Sequence, residues 1–244
     1  MARYSVPGDV VKNIEAAARD TGRLHGNVLA AFGGQIESPS DCPAAFMPLW
    51  MAELIQALGA GIASEKISSF VRGLADVAKQ WNLLDDAAWE RIFLHFNCAC
   101  LELSLELAAS KQSDASQVYW KQASDVATMV LAALKGDGAL AAAEETANIE
   151  MWPWQSEGIG ADPARDALPS DTSWALKCLT ETASFVTDMR QEGMGGVAET
   201  AARTAGYGAK SREAEAYWLL AKRLFSLLHT EIAAAKNWAP PLSF

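Results

Sequence analysis

Apolar residues recur along most of this chain with the spacing of helices rather than strands. In the stretch from Glu65 to Trp81 the apolar positions fall at i, i+3, i+4 and i+7 and so share one helix face: Ile67, Phe70, Val71, Leu74, Val77, Ala78 and Trp81. The sequence has no alternating runs of β-branched residues and no Asn-Gly turns between apolar segments, which are typical of strands and hairpins. The pattern predicts an all-α fold, a compact bundle of about seven or eight helices.

Capping residues and helix breakers divide this pattern into segments. Asp9 is placed to cap a first helix that ends at Gly33-Gly34, and Pro48 is expected to begin or kink the second helix. Asp85 or Asp86 caps a long helix, because an N-terminal aspartate accepts backbone N–H groups and suits the helix dipole. The predicted segments are 9–34, 44–64, 65–81, 86–111, 113–136, 139–152, 171–192 and 211–237.

A stretch without a helical pattern runs from Trp154 to Ser170. It carries two glycines and two prolines, and the preceding helix is expected to end at Pro153, so the stretch predicts a loop. We expect a single domain over residues 1–244, with 1–152 and 170–244 as alternative halves joined by the loop 153–169.

A Tyr-Trp pair occurs twice in the same sequence frame. Ser113–Ala123 aligns without a gap with Ser211–Ala221, and each copy follows a helical segment with a Trp near its start, Trp89 or Trp174. The pattern predicts an internal helical-hairpin repeat. Chance similarity between two amphipathic helices is the alternative, and an open solenoid would need three or more clear repeats. The two predicted hairpins are 86–134 and 171–235.

Composition and charge narrow the class of protein. The 244 residues are 50% hydrophobic with nine Trp, which is enough to bury a sizeable core. The net charge is −10, with 20 Lys and Arg against 30 Asp and Glu, so the surface repels phosphate backbones and anionic membranes. The N-terminal residues show no apolar signal segment, and the four cysteines fit free thiols in a reducing compartment. We expect a cytoplasmic protein that binds neither nucleic acid nor membrane.

Four polar residues form a stripe on the predicted helix 86–111. Arg91, His95, Glu102 and Glu106 fall within roughly 60° of one another at about 100° per residue. A base and two carboxylates on one face could support acid–base chemistry or hold a cation. The alternative is the solvated edge of a mostly buried helix, with its charges paired internally.

The remaining motifs have structural explanations. Asp85-Asp86 suits helix capping better than diphosphate binding through Mg²⁺, and His25 is assigned no second ligand. Cys98 and Cys100 point to different helix faces, and no nucleophile elbow is present. We therefore expect no metal and no cofactor and assign no catalytic residue. Whether the chain is an enzyme stays open, with a non-enzymatic role favoured.

Trp152 and Trp154 flank Pro153 at the start of the predicted loop. Aromatic residues on loops are common anchors at protein interfaces, although both could instead cover the core as a lid.

These observations favour a cytosolic acidic helical protein that acts by protein–protein interaction, as an adaptor, an inhibitor or an immunity-type module. Its partner is expected to carry a basic surface, because complementary charge speeds encounter. The alternative is a small-ligand binder or helical-bundle enzyme with its site on the Arg91, His95, Glu102 and Glu106 stripe. A nucleic-acid mimic or the subunit of a homo-oligomer is the third interpretation.

Overall fold

A computed structural model describes residues 4–24, 26–109, 116–155, 162–187, 193–207 and 210–237, with the backbone alone for 150–155. Every regular element in these ranges is helical and none is a strand, which confirms the predicted all-α class. The α-helices are α1 Gly8–Arg19, α2 Leu49–Gly61, α3 Ser64–Ala78, α4 Asp86–Ala109, α5 Gln117–Leu134, α6 Leu140–Gln155, α7 Pro163–Asp166, α8 Ser170–Thr187, α9 Met194–Gly206 and α10 Lys210–Asn237. Short 3-10 helices cover Thr21–Leu24, Val28–Ala31, Pro39–Asp41 and Trp81–Leu83.

Within the described ranges there are ten α-helices rather than about seven or eight. The predicted first helix is α1 followed by two 3-10 helices, so it does not continue to Gly33-Gly34. Asp9 lies inside the first turn of α1 and is not its cap residue, which is Pro7. The further differences are α7, which lies in the predicted loop 153–169, and α9, which lies between the predicted segments 171–192 and 211–237.

The chain folds into two compact units, each built from separate segments. Unit 1 comprises Met1–Phe96, Gln191–Gly195 and Ala221–Phe244, and unit 2 comprises Asn97–Arg190 and Gly196–Leu220. The expectation of a single domain, with 1–152 and 170–244 as alternative halves, stays a prediction.

In unit 1, α3 buries the apolar face that its sequence pattern predicts. The seven apolar side chains that share one face between Ile67 and Trp81 are all buried except Ile67, which is half-buried. Helix α1 packs on α3, where Ser68 Oγ donates a hydrogen bond of 2.6 Å to the Ala18 carbonyl. Gly73 of α3 allows close approach of α10, because a Cβ at this position would lie 2.7 Å from the Phe225 ring.

An aromatic cluster fills the core of unit 1. The Trp81 and Trp89 rings meet at 5.7 Å and 77°, an edge-to-face arrangement. Phe32 stacks on Trp81 at 6.1 Å, while Tyr4 and Trp50 meet Trp89 edge-on. Aromatic rings of this size bury large apolar areas, so the cluster anchors the loops between α1 and α2 to the rest of unit 1.

Helix α4 begins at the aspartates that the sequence predicts as caps. Asp85 Oδ1 accepts a hydrogen bond of 2.8 Å from Ala88 N, which confirms the capping prediction. Of the helices that the structure describes, α4 has the length and apolarity to cross a membrane, and 61% of its most apolar 18-residue window is buried inside the protein. Ile92, Phe96 and Leu101 are fully buried, as in the core helix of a bundle.

Unit 2 is built on α5, α6 and α8, which pack against one another. Hydroxyl side chains join α8 to α9, with Thr182 Oγ1 and Thr200 Oγ1 2.9 Å apart and both buried. Thr182 also lies 2.8 Å from the Cys178 carbonyl, and Thr204 donates to the Thr200 carbonyl at 2.9 Å. Local carbonyl partners of this kind allow a helix interface to bury hydroxyl groups without leaving them unpaired.

The predicted loop after Pro153 begins later than expected, because α6 continues to Gln155. Proline removes one interior hydrogen-bond donor, and at this point only the last turn of the helix is affected. The segment from 162 onward then forms α7, where the Asp162 side chain accepts a hydrogen bond of 3.0 Å from Ala164 N. Trp152 and Trp154 therefore lie in a helix and not in a loop, which corrects the prediction.

The internal hairpin repeat stays a prediction. Helices α5 and α10 bury equivalent positions, such as Val130 and Leu228, but any two amphipathic helices do so. The paired tryptophans differ: Trp89 is buried, whereas Trp174 is 42% exposed.

Candidate functional site

The predicted polar stripe of α4 is divided between the two units. Arg91 and His95 belong to unit 1, and Glu102 and Glu106 belong to unit 2. His95 and Glu106 are exposed, whereas Glu102 is half-buried. The stripe therefore consists of two halves, one in each unit.

Arg91 makes a two-pronged ion pair with Glu231 of α10. Its Nη2 donates at 2.7 Å to Oε2, and its Nε donates at 3.1 Å to Oε1. The Glu231 side chain is 12% exposed, and its hydrogen bonds raise the pKa of Arg91. Charged groups in this geometry hold each other firmly, so the pair fixes α10 against α4.

A groove of about 400 Å³ lies beside this ion pair in unit 1. Its residues are Leu83, Asp85, Ala88, Arg91, Glu231, Ala234 and Ala235. Two carboxylates and one guanidinium provide polar groups, and the alanines provide a smooth apolar wall. The volume lies in the range of small-molecule sites.

In unit 2, Glu102 accepts a hydrogen bond of 2.8 Å from Lys135 Nζ at the end of α5. This bond raises the pKa of Lys135, as expected for an ammonium group beside a carboxylate. The Lys135 and Glu102 side chains are 49% and 42% exposed, so water screens the pair and it contributes little to stability. In the ranges that the structure covers, no group of three or more His, Cys, Asp or Glu residues is placed to hold a metal ion.

Large apolar side chains are exposed on two neighbouring helices of unit 2. Trp174 and Phe185 of α8 are 42% and 41% exposed, and Ile149 of α6 is 61% exposed. Trp174 and Phe185 are eleven residues apart, about three helical turns, and so lie on one side of α8, separated by roughly 16 Å. Ser184 Oγ donates to Asn148 Oδ1 at 2.6 Å, so Phe185 and Ile149 each follow directly on a residue of the contact between α8 and α6. We call Ile149, Trp174 and Phe185 the apolar face of unit 2.

Two cations flank the Trp174 end of the apolar face. Lys177 Nζ lies 5.4 Å and Arg203 Cζ 5.6 Å from the Trp174 ring centroid, within the range of cation–π attraction. Each cation also has a carboxylate partner one helical turn away, Glu181 for Lys177 and Glu199 for Arg203. The Trp174 ring therefore lies beside two cations, and each cation is also paired with a carboxylate.

Sequence reasoning singled out Trp174 only as part of the repeat and missed Phe185 and Ile149. The signal within α8 is the spacing of two aromatic residues three turns apart, since most other residues of that helix are small or hydroxylic and face inward. Ile149 could be added only once the packing of α6 on α8 was known. For the predicted anchors Trp152 and Trp154, the side chains lie outside the described part of the structure, and His25 lies outside it altogether.

The fold and the apolar face define this chain as an all-helical bundle protein. Comparisons with protein-family models, with curated proteins and with solved structures gave no match.

Proposed function

We propose that this protein is a binding module for another protein and that the apolar face of unit 2 is its docking surface. The observation that carries the proposal is the exposure of Ile149, Trp174 and Phe185 on adjacent helices. Grouped aromatic and aliphatic side chains on a surface are typical of interaction sites, because their burial by a partner supplies most of the binding free energy.

The predicted tryptophan anchors, Trp152 and Trp154, belong to α6, the helix that also carries Ile149. Trp152 follows Ile149 by three residues, which is about one helical turn. Both positions therefore belong to the same end of one helix, and the tryptophan anchors and the apolar face become parts of one proposal.

The net charge of −10 supports a partner with a basic surface. Long-range attraction between opposite charges speeds the encounter of two proteins, while the apolar contacts hold the complex together. We propose a cytoplasmic location for this complex, in keeping with the acidic composition and the free cysteines. Neither nucleic acid nor membrane is part of the proposal.

Affinity capture with three forms of the protein tests the docking surface. The tagged wild type, Phe185→Glu and the control Leu49→Glu are used to capture partners from lysate of the source cells. Leu49 is 44% exposed but belongs to unit 1, so it matches Phe185 in exposure and not in location. Circular dichroism and urea unfolding establish that all three are folded.

We expect one stoichiometric protein with the wild type and with Leu49→Glu, and at least a tenfold loss with Phe185→Glu, because a charge on the face opposes its burial. The association rate constant with the purified partner should fall steeply as salt is raised. Equal capture by all three forms would show that the apolar face is not the docking surface. If no partner is captured by any form, the proposed protein-binding function is wrong.

Binding of a small ligand on the polar stripe is a second candidate. The groove of about 400 Å³ beside Arg91 favours it over other positions on the stripe. Native mass spectrometry of protein purified from its own cells would show a retained small molecule. Arg91→Met should lose that molecule, whereas His95→Gln, Glu102→Gln and Glu106→Gln show whether the rest of the stripe takes part. A ligand retained by Arg91→Met would rule out this groove.

A further inference from the structure

Three buried indole N–H groups lack a hydrogen-bond acceptor among the residues that the structure describes. They are the Nε1 atoms of Trp81, Trp89 and Trp120. Nearly all buried donors in folded proteins are paired, so each of these groups requires an explanation.

For Trp81 and Trp89, the aromatic cluster of unit 1 explains why the N–H groups lack a hydrogen-bond acceptor. The two rings are nearly perpendicular to each other, and Tyr4 and Trp50 also meet Trp89 at angles of 78° and 70°. An indole N–H lies in the plane of its ring, so a perpendicular neighbour offers it a ring face as a weak acceptor. These two donors therefore have aromatic surroundings suited to N–H···π contacts.

Trp120 has different surroundings. Its aromatic neighbour is Tyr207, at 6.1 Å and an interplanar angle of 34°. Rings tilted this little lie closer to parallel than to perpendicular, so the Tyr207 face does not meet the in-plane N–H of Trp120. The Trp120 side chain is 2% exposed, and the described residues supply no substitute for the missing acceptor.

Trp120 also lines a groove of about 480 Å³ between the last turns of α4 and the first turns of α5, entirely within unit 2. We call it the Trp120 groove. Its lining combines apolar residues with polar ones: Leu105, Ala108, Ala109 and Trp120, and Gln117, Lys121, Ser124, Asp125 and Thr128. A volume of this size, with mixed polar and apolar lining, suits a small organic molecule.

The charges of the groove balance each other. Lys121 Nζ donates to Asp125 Oδ2 at 2.5 Å, one helical turn along α5. A charged ligand would have to compete with this pair, so the groove favours a neutral molecule. The flat Trp120 ring and the small alanine side chains of the groove favour a ligand with a planar shape.

We propose that the Trp120 groove binds a small, neutral, planar molecule whose carbonyl oxygen accepts the hydrogen bond of Trp120 Nε1. Trp120 Nε1 is buried, so the proposed ligand would have to displace a neighbouring side chain to reach it. This site is separate from the protein-docking surface and does not depend on it.

Two isosteric probes test the proposed chemistry: acetophenone, which carries a carbonyl oxygen, and α-methylstyrene, which has a CH₂ group in its place. Binding is followed through the indole N–H signals in ¹H–¹⁵N NMR spectra, with the Trp120 signal assigned by its loss in Trp120→Phe. Acetophenone should shift that signal downfield and bind roughly five- to tenfold more tightly than α-methylstyrene, because only the ketone satisfies the donor.

Ser124→Phe fills the groove and should abolish both interactions, whereas Met129→Phe, on α5 but outside the groove, should leave them unchanged. In Trp120→Phe, followed by saturation-transfer NMR of the probes, the preference for acetophenone should disappear. Equal affinity for the two probes in the wild type would overturn the hydrogen bond. An unshifted Trp120 signal at millimolar acetophenone, or binding that survives Ser124→Phe, would overturn the site.

Discussion

Two neighbouring residues make the turn between α9 and α10 unusually intolerant of change. Tyr207 has a φ of +48°, and its hydroxyl is hydrogen-bonded to Thr172 of α8. A Cβ added at Gly206 would lie 2.9 Å from the backbone nitrogen of Glu213. Rotation of a side chain cannot relieve a contact with backbone, so only glycine fits at this position.

The Gly206→Ala substitution should therefore destabilise the protein by about 1–3 kcal/mol, the usual cost of overpacking. Gly196 in the same helix is a matched control, because a Cβ there meets nothing within 4 Å. Gly196→Ala should leave stability unchanged or raise it by about 0.5 kcal/mol. Urea unfolding of the two variants measures both effects, and equal midpoints would show that the close approach at Gly206 costs nothing.

A second residue-scale prediction concerns pH. Tyr119 Oη donates to Asp162 Oδ2 at 2.5 Å, which lowers the pKa of Asp162 and raises that of Tyr119. A lowered carboxyl pKa stabilises the fold above the ordinary value of 3.8, and this contribution is lost as the pH falls through the folded pKa. A raised tyrosine pKa stabilises the fold below the ordinary value of 10.0, and this contribution is lost as the pH rises through the folded pKa.

Tyr119→Phe should therefore flatten stability against pH at both ends, most visibly below about pH 4. Unfolding midpoints across the pH range provide the measurement. Tyr217→Phe is a control for the acid end alone, because burial raises the pKa of Tyr217 to about 12. An acid limb of the same steepness in Tyr119→Phe and in the wild type would show that the hydrogen bond does not form in solution.

At the scale of helices, α9 depends on a cap from far away in the sequence. Glu53 of α2 accepts hydrogen bonds from Gly193 N at 2.8 Å and Met194 N at 3.2 Å. A carboxylate at a helix N-terminus satisfies unpaired N–H groups and suits the helix dipole.

Glu53→Ala should cost about 1–2 kcal/mol and selectively increase hydrogen exchange in α9. Glu53→Gln keeps one acceptor oxygen and should cost less. Gln56→Ala, one turn along α2, controls for changes to that helix. If exchange in α9 does not respond to Glu53→Ala, the cap is not what holds the start of the helix.

The Glu53 cap also shows why some helices could be predicted from the sequence and others could not. The apolar face of α3 and the Asp85 cap of α4 depend on neighbours within a few residues, and both were predicted correctly. Helix α9 begins among three glycines and takes its cap from a residue 140 positions earlier, so no local pattern indicates it. The continuation of α6 past Pro153 is similar, because propensity alone argued for a stop at the proline.

For the whole molecule, the stripe of α4 and the apolar face show what the sequence can and cannot provide. Helical periodicity predicts that four polar residues share one side of α4, but the ion-pair partners of two of them, Glu231 and Lys135, come from other helices. The exposure of Trp174 could not be predicted, because its repeat counterpart Trp89 is buried in a different aromatic environment. Burial depends on tertiary packing rather than on residue type.

Net charge should control whether the apolar face pairs with itself. The charge of −10 at neutral pH opposes self-association, and it vanishes near the isoelectric point of about 4.8. Sedimentation velocity should show a monomer at pH 7 in low salt and reversible association as the pH approaches 4.8. Phe185→Glu should reduce that association more than Leu49→Glu does. Equal association of both variants would place the contact elsewhere.

The reactivity of the buried thiols Cys98, Cys100 and Cys178 would measure local opening of the native protein. Burial raises the pKa of Cys178 to about 12 and that of Cys42 to about 11, so almost no thiolate forms at neutral pH. Cys98, Cys100 and Cys178 are buried in unit 2, whereas the half-buried Cys42 belongs to unit 1. Variants that keep Cys98, Cys100 or Cys178 alone would therefore react with a thiol reagent only as fast as the surrounding helices of unit 2 open. Their labelling rates would measure the local opening of unit 2, with the half-buried Cys42 as the more accessible reference.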